Sequence, residues 1–161
     1  MPLPSSEVKS IIKRNVNQQW NELWRLRRTN WVYNWLPRCN RRFSCPPMSN
    51  NLTNVFCSFI CGTLPLRGKL FQWKIVSTPH CHYHPGYRET PKHVLFECSQ
   101  HQGTRNKITS IIREKTGIGE LTFKAIMDNP VCVKILAEDL RDHLEEMKSL
   151  NNQFIVNNHG R

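Results

Sequence analysis

The chain reads as a mostly α protein, short helices around a small core with one loop–helix, zinc-knuckle-like site. Three observations predict this. Apolar residues recur at three- and four-residue intervals in several stretches, and Pro, Gly and Asn cut those stretches short. No run keeps the apolar–polar alternation that a half-buried strand needs. Cys and His crowd into residues 81–101, where a structural metal can supplement the core of a small module. At 161 residues the chain has room for one ordinary domain or two small modules.

The first helix is expected over 6–36. Ser5 or Ser6 caps it, Glu7 meets the positive end of the dipole, and Val8, Ile11, Ile12, Val16, Trp20, Leu23 and Trp24 form the apolar stripe. Pro37 ends the pattern, and PRCNRRFSCPPMSNN reads as a basic loop. A second helix spans Leu52–Cys61, capped by Asn51 or Thr53, with Phe56, Phe59 and Ile60 toward the core and Cys57 and Cys61 packed there too. PLRGKLFQWK, 65–74, makes a short helix with Leu66, Leu70 and Trp73 on one side. Arg105–Lys115 makes another, stopped by Gly117 and Gly119, and Leu121–Met127 a further short one. Pro130 opens the last, whose stripe runs Val131, Val133, Ile135, Leu136, Leu140, Leu144 and Met147. Its Asp139, Asp142, Glu145 and Glu146 read as a solvated face. The expected organisation is a basic helix and Arg/Pro loop over 1–50, a helical module over 51–149, and a frayed tail over 150–161.

Charge narrows the partner. Residues 1–80 hold twelve Lys/Arg against Glu7 and Glu22, whereas residues 81–161 hold eleven against ten acids. A fold does not need such asymmetry; a polyanionic partner does. The longest apolar stretch is too short to span a bilayer, and the first residues lack a signal-peptide core. Seven cysteines without a secretion signal point to a reduced, intracellular setting, cytoplasm or nucleus, where clustered Cys/His means metal before disulfides.

Four N/S donors in two close pairs make a structural zinc site. Cys81-x2-His84 and His93-x4-Cys98 are such pairs, with eight residues between them. Thr90 caps a turn that Pro91 opens and that presents His93, while Gly86 bends the loop. His82 or His80 rivals His84, and His101, separated from Cys98 by two residues, rivals His93. The expected cofactor is one structural Zn²⁺. No H-E-x-x-H, paired-carboxylate centre or Gly-rich phosphate loop accompanies it, so no catalytic residue is assigned and no small-molecule substrate is expected.

ETPKHVLFEC, with Cys81 and His84 before it and Arg105 after, resembles the C-terminal tail of non-LTR (LINE-type, Jockey-like) retrotransposon polyproteins. That tail follows their reverse transcriptase and RNase H-like domains. The resemblance spans about residues 3–148 and is strongest over 70–106. It implies His93 as the third ligand. It departs at His84, where the family carries cysteine, and at Ile60-Cys61-Gly62-Thr63, where no His follows the Gly. It also implies that polymerase and RNase H chemistry lie outside this chain, leaving a non-catalytic module. Arg25, Arg27, Arg28, Arg38, Arg41 and Arg42 are expected on phosphates, with Trp31 and Trp35 beside them to stack bases. RNA is favoured over DNA only by what the resemblance implies. The alternatives are a helical protein-interaction module and a retroelement relic without selected activity.

Overall fold

The computed structural model describes residues 4–26, Tyr33, 45–117 and 119–158, with 151–158 described for their backbone alone. The chain divides into two units, Met1–Ser44 and Cys45–Arg161.

In the first unit α1 spans Ser5–Leu26, with Glu7 in its first turn and Arg25 in its last, as the helix dipole favours. Its expected core stripe is not a core: the helix has no buried residue, and Ile12, Trp20 and Leu23 are each more than half exposed. A stripe at helical spacing needs a second layer to be buried against. The Trp24 ring lies 6.3 Å from that of Tyr33.

The second unit is helical and its core is continuous. α2 spans Asn50–Cys61 and buries Leu52, Phe56 and Phe59 at i, i+4 and i+7. Its cap is Ser49, whose hydroxyl accepts from the Leu52 N–H, rather than Asn51 or Thr53. Gly62, in the left-handed region at φ +68°, ends it. Cys57 and Cys61 are exposed, contrary to expectation, because they lie on the face opposite the Phe pair. α3 is short, Arg67–Gln72, and half-exposed Trp73 lies just past its end rather than in the core. α4 spans Gln102–Thr116, buries Ile108 and Ile112, and stops at Gly117. α5, Phe123–Met127, is capped by the Thr122 hydroxyl on the Ala125 N–H. α6 spans Pro130–Asn158: Pro130 suits the first turn, and the Asn129 side chain takes the Val131 N–H. The helix thus runs through most of the expected tail.

α2, α4 and α5 all pack on α6. Phe56, Phe59, Ile108, Phe123, Ile126, Leu136 and Leu140 are fully buried between them. Each large side chain contributes about 1.5–3 kcal/mol by leaving water. The buried positions of α6 run 132, 133, 136, 137, 140, 143 and 147, so the apolar stripe has one polar member, His143. Among the described residues no strand forms, only an isolated antiparallel bridge between His80 and Arg88.

Candidate metal centre

That bridge closes a narrow knuckle. The Cys81 N–H bonds the Tyr87 carbonyl (2.8 Å), and the Glu89 N–H the Pro79 carbonyl (2.9 Å). At the tip, the Tyr87 N–H reaches the His84 carbonyl across Pro85–Gly86. Gly86 has φ +92°, as the third residue of a type II turn requires. The knuckle holds Cys81 inward, 3% exposed.

The other half of the site comes from the segment after Thr90. The Thr90 hydroxyl takes the His93 N–H, and Pro91 occupies the first helical turn. Over His93–Glu97 the turn widens to π geometry, closed by the Cys98 N–H on the His93 carbonyl at 2.8 Å. This widening answers the odd spacing of the pair. On an α-helix at 3.6 residues per turn, residues five apart diverge by about 140° around the axis. An i→i+5 turn brings the fifth residue back nearly over the first. His93 and Cys98 therefore converge, and Val94 and Leu95 anchor the turn in the core.

Cys81, His93 and Cys98 are all buried, with one donor atom from each within 4.8 Å of the others. The group can hold a metal ion. Its two sulfurs are 3.8 Å apart, far beyond the ~2.05 Å of a disulfide. Burial lowers the His93 pKa against the opposing pull of Glu97, which favours the neutral imidazole that a metal needs. Neither His93 ring nitrogen has a hydrogen-bond partner, and the Glu97 carboxylate lies 3.5 Å from Nδ1. Burial pushes the Cys81 thiol up to about 11, against backbone N–H groups of Tyr83 and His84 that reach its sulfur. A metal bound there must displace the thiol proton.

The rivals are used elsewhere. His82 Nε2 faces Arg67 Nη1 at 2.8 Å, and its pKa is lowered by burial and by that guanidinium. His101 is buried with Nδ1 2.6 Å from Asp139 Oδ2. His80 is exposed and bonds Thr78. His84 is outside the three-donor group, yet its ring is edge-on to His93 at 5.4 Å between centroids. Asp139 is no solvated acid: it accepts from the Thr104 hydroxyl as well as from His101.

The supporting roles of Glu89 and Arg105 escaped sequence reasoning, which met both only as positions of the resemblance. Glu89 is 1% exposed. Its Oε2 accepts the Arg67 N–H at the start of α3, and its Oε1 lies 3.0 Å from His143 Nε2 on α6. Burial alone would raise the Glu89 pKa, but those hydrogen bonds and nearby positive charge outweigh it and lower it. The buried Arg105 guanidinium donates to the Val94 and Cys98 carbonyls and to Gln102 Oε1, fixing the backbone on either side of the ligand turn. His143, a histidine amid the apolar stripe of α6, is the signal in the sequence that could have found this polar interior.

Of the residues expected on nucleic acid, Arg25 is exposed in the last turn of α1. Arg27, Arg28, Trp31, Trp35, Arg38, Arg41 and Arg42 lie outside the described residues. Among the described residues, no helix is long and apolar enough to cross a membrane. No protein-family model, curated protein or solved structure matches the chain.

Proposed function

We propose that the chain is a non-catalytic nucleic-acid-binding module whose helical unit is stapled by one structural zinc. Cys81, His93 and Cys98 hold the ion, and His84 supplies the fourth donor. The observation that carries the zinc reading is the sulfur separation. Two thiolates about 2.3 Å from a tetrahedral zinc stand about 3.8 Å apart, and Cys81 and Cys98 already stand at 3.8 Å. The ion supplies cross-linking, not chemistry, in this reading: His93 and Cys98 sit on one turn, Cys81 on the knuckle, and binding energy becomes folding energy. Nucleic acid is favoured by charge, since residues 1–44 hold nine Lys/Arg against two Glu. The resemblance to retrotransposon polyprotein tails points the same way and favours RNA.

Zinc content of the purified chain tests the first half. One equivalent is expected, lost in Cys98→Ser and in His93→Ala together with helix; a parent without zinc refutes the staple. Salt-titrated binding of RNA tests the second half. Affinity should fall steeply with salt, and replacing Arg38, Arg41 and Arg42 by Ala should flatten that slope by about three phosphates' worth. Salt-insensitive binding refutes it, and a slope unmoved by the triple replacement takes those three arginines out of the contact.

A further inference from the structure

Residues 23–88 contain ten Lys/Arg and no Asp or Glu. Within this acid-free run, the end of α3 and the turn after it expose Phe71, Trp73 and Ile75, and the knuckle exposes Tyr87. An open groove of about 630 Å³ lies here, its lining including Phe71, Lys74, Ile75 and Arg88. Lys69 Nζ is 5.5 Å from the centre of the Trp73 ring. Arg88 is tethered by its bond to the Gly68 carbonyl. Tyr87 lies nearly parallel to the His93 ring, 6.0 Å away, so this aromatic borders the metal centre.

A second observation singles out the groove. α3 ends in a Schellman arrangement: the Lys74 N–H bonds the Phe71 carbonyl, and the Ile75 N–H the Leu70 carbonyl. The residue at the turn adopts φ +60°, a conformation glycine takes freely and other residues resist. Here it is lysine. The following residue ordinarily packs back on the helix, yet Ile75 is 65% exposed. Both positions give up local stability and present a cation and an apolar surface at the groove.

We propose that this groove binds single-stranded nucleic acid. Unpaired bases stack on Phe71 of the lining and on Trp73, which adjoins it in the chain, and phosphates meet Lys74 and Arg88 of the lining and Lys69 beside Trp73. The proposal deepens the nucleic-acid reading above and rests on it, but places a contact surface in the metal-bearing unit. Rings and cations interleaved along one short segment match the bases and phosphates that alternate along a strand. A duplex hides its base faces, and an acidic peptide would engage the cations while leaving the rings idle. The next acid in the chain, Glu89, is buried against Arg67 and His143 and offers the groove no competing charge.

The test uses the zinc-loaded full chain and fluorescence anisotropy with labelled oligouridine, oligothymidine and a duplex RNA. Phe71→Ala and Trp73→Ala should each weaken single-strand binding about tenfold, with unchanged salt slope and unchanged duplex affinity. Lys69→Gln and Lys74→Gln should lower the slope by about one phosphate each. The two single-stranded probes separate RNA from DNA. Ala at Arg38, Arg41 and Arg42 reports on the N-terminal segment alone. If only that variant weakens binding, the groove is refuted and the N-terminal reading stands; the reverse pattern sinks the latter and keeps the groove. Unchanged single-strand affinity in the aromatic variants, with zinc content and circular dichroism intact, overturns the proposal. So does capture of an acidic peptide without any oligonucleotide.

Discussion

Replacing Glu89 by Ala should cost more than any surface change in this protein. Its carboxylate is buried, with Oε1 3.0 Å from His143 Nε2 and Oε2 on the Arg67 N–H. The replacement leaves two buried donors without an acceptor, each worth about 1–3 kcal/mol. The two losses together put the expected cost at about 4 kcal/mol. Against a usual stability of about 5–15 kcal/mol, that is a large share. With a urea slope near 2 kcal/mol/M, the unfolding midpoint should fall by about 2 M. Glu89→Gln keeps an acceptor for Arg67 and should lose about half as much. His143→Ala combined with Glu89→Ala should fall short of additivity by at least about 1 kcal/mol, because the two groups act on each other. Urea unfolding followed by circular dichroism, with and without zinc, reads all of these. A midpoint within about 0.3 M of the parent for Glu89→Ala, or strict additivity with His143→Ala, would refute this role of the Glu89 carboxylate.

The same carboxylate sets an acid limit: its folded pKa is lowered, so its stabilisation is complete above about pH 4.3 and is lost as pH falls through the folded value. Glu89→Gln should flatten stability against pH in that range. Gly68→Ala should destabilise by about 1–3 kcal/mol, since a Cβ there would clash with the Glu89 carbonyl oxygen, a backbone atom with little freedom to move. Thermal melts will show it. Arg105→Ala should weaken zinc affinity about tenfold or more by freeing the Cys98 carbonyl, measurable by competition with a chelator, whereas Gln102→Ala should not. Lys74→Gly should raise stability by about 0.5–1 kcal/mol by relieving the left-handed residue; a loss would mean the lysine packs in a way its geometry does not suggest.

Where a residue's role is set by its neighbours along the chain, the sequence announces it. Pro130 with the stripe behind it, the Gly117 stop and the Gly86 bend at the knuckle tip all follow from local rules. Cys81 and Cys98 were legible because two short spacings advertise them. Non-local roles were not. A glutamate in a polar loop reads as solvent-facing, and its partner His143 is 54 residues away. Asp139 shares a helix with exposed acids, and only the approach of His101 and Thr104 takes it out of water. The stripe of α1 misled for a related reason: periodicity predicts that a face can be buried, and the packing partner decides whether it is. Cys57 and Cys61 failed because residue type was weighed above angular position: with Phe56 and Phe59 inward, neither falls on the buried arc.

The wide turn at His93–Glu97 has a consequence for insertions and deletions. It absorbs one extra residue on the spot, so the knuckle before it and α4 after it need not shift in phase. Deleting one residue from Val94–Glu97 would return the turn to ordinary α pitch and shorten the pair to H-x3-C, a separation an α-helix already aligns. Ligand spacing in such a site is therefore elastic by one, while the place of the donors in space is not. The turn acts as a joint of adjustable length, and its fixed points are the threonine that caps it and the arginine that grips its carbonyls.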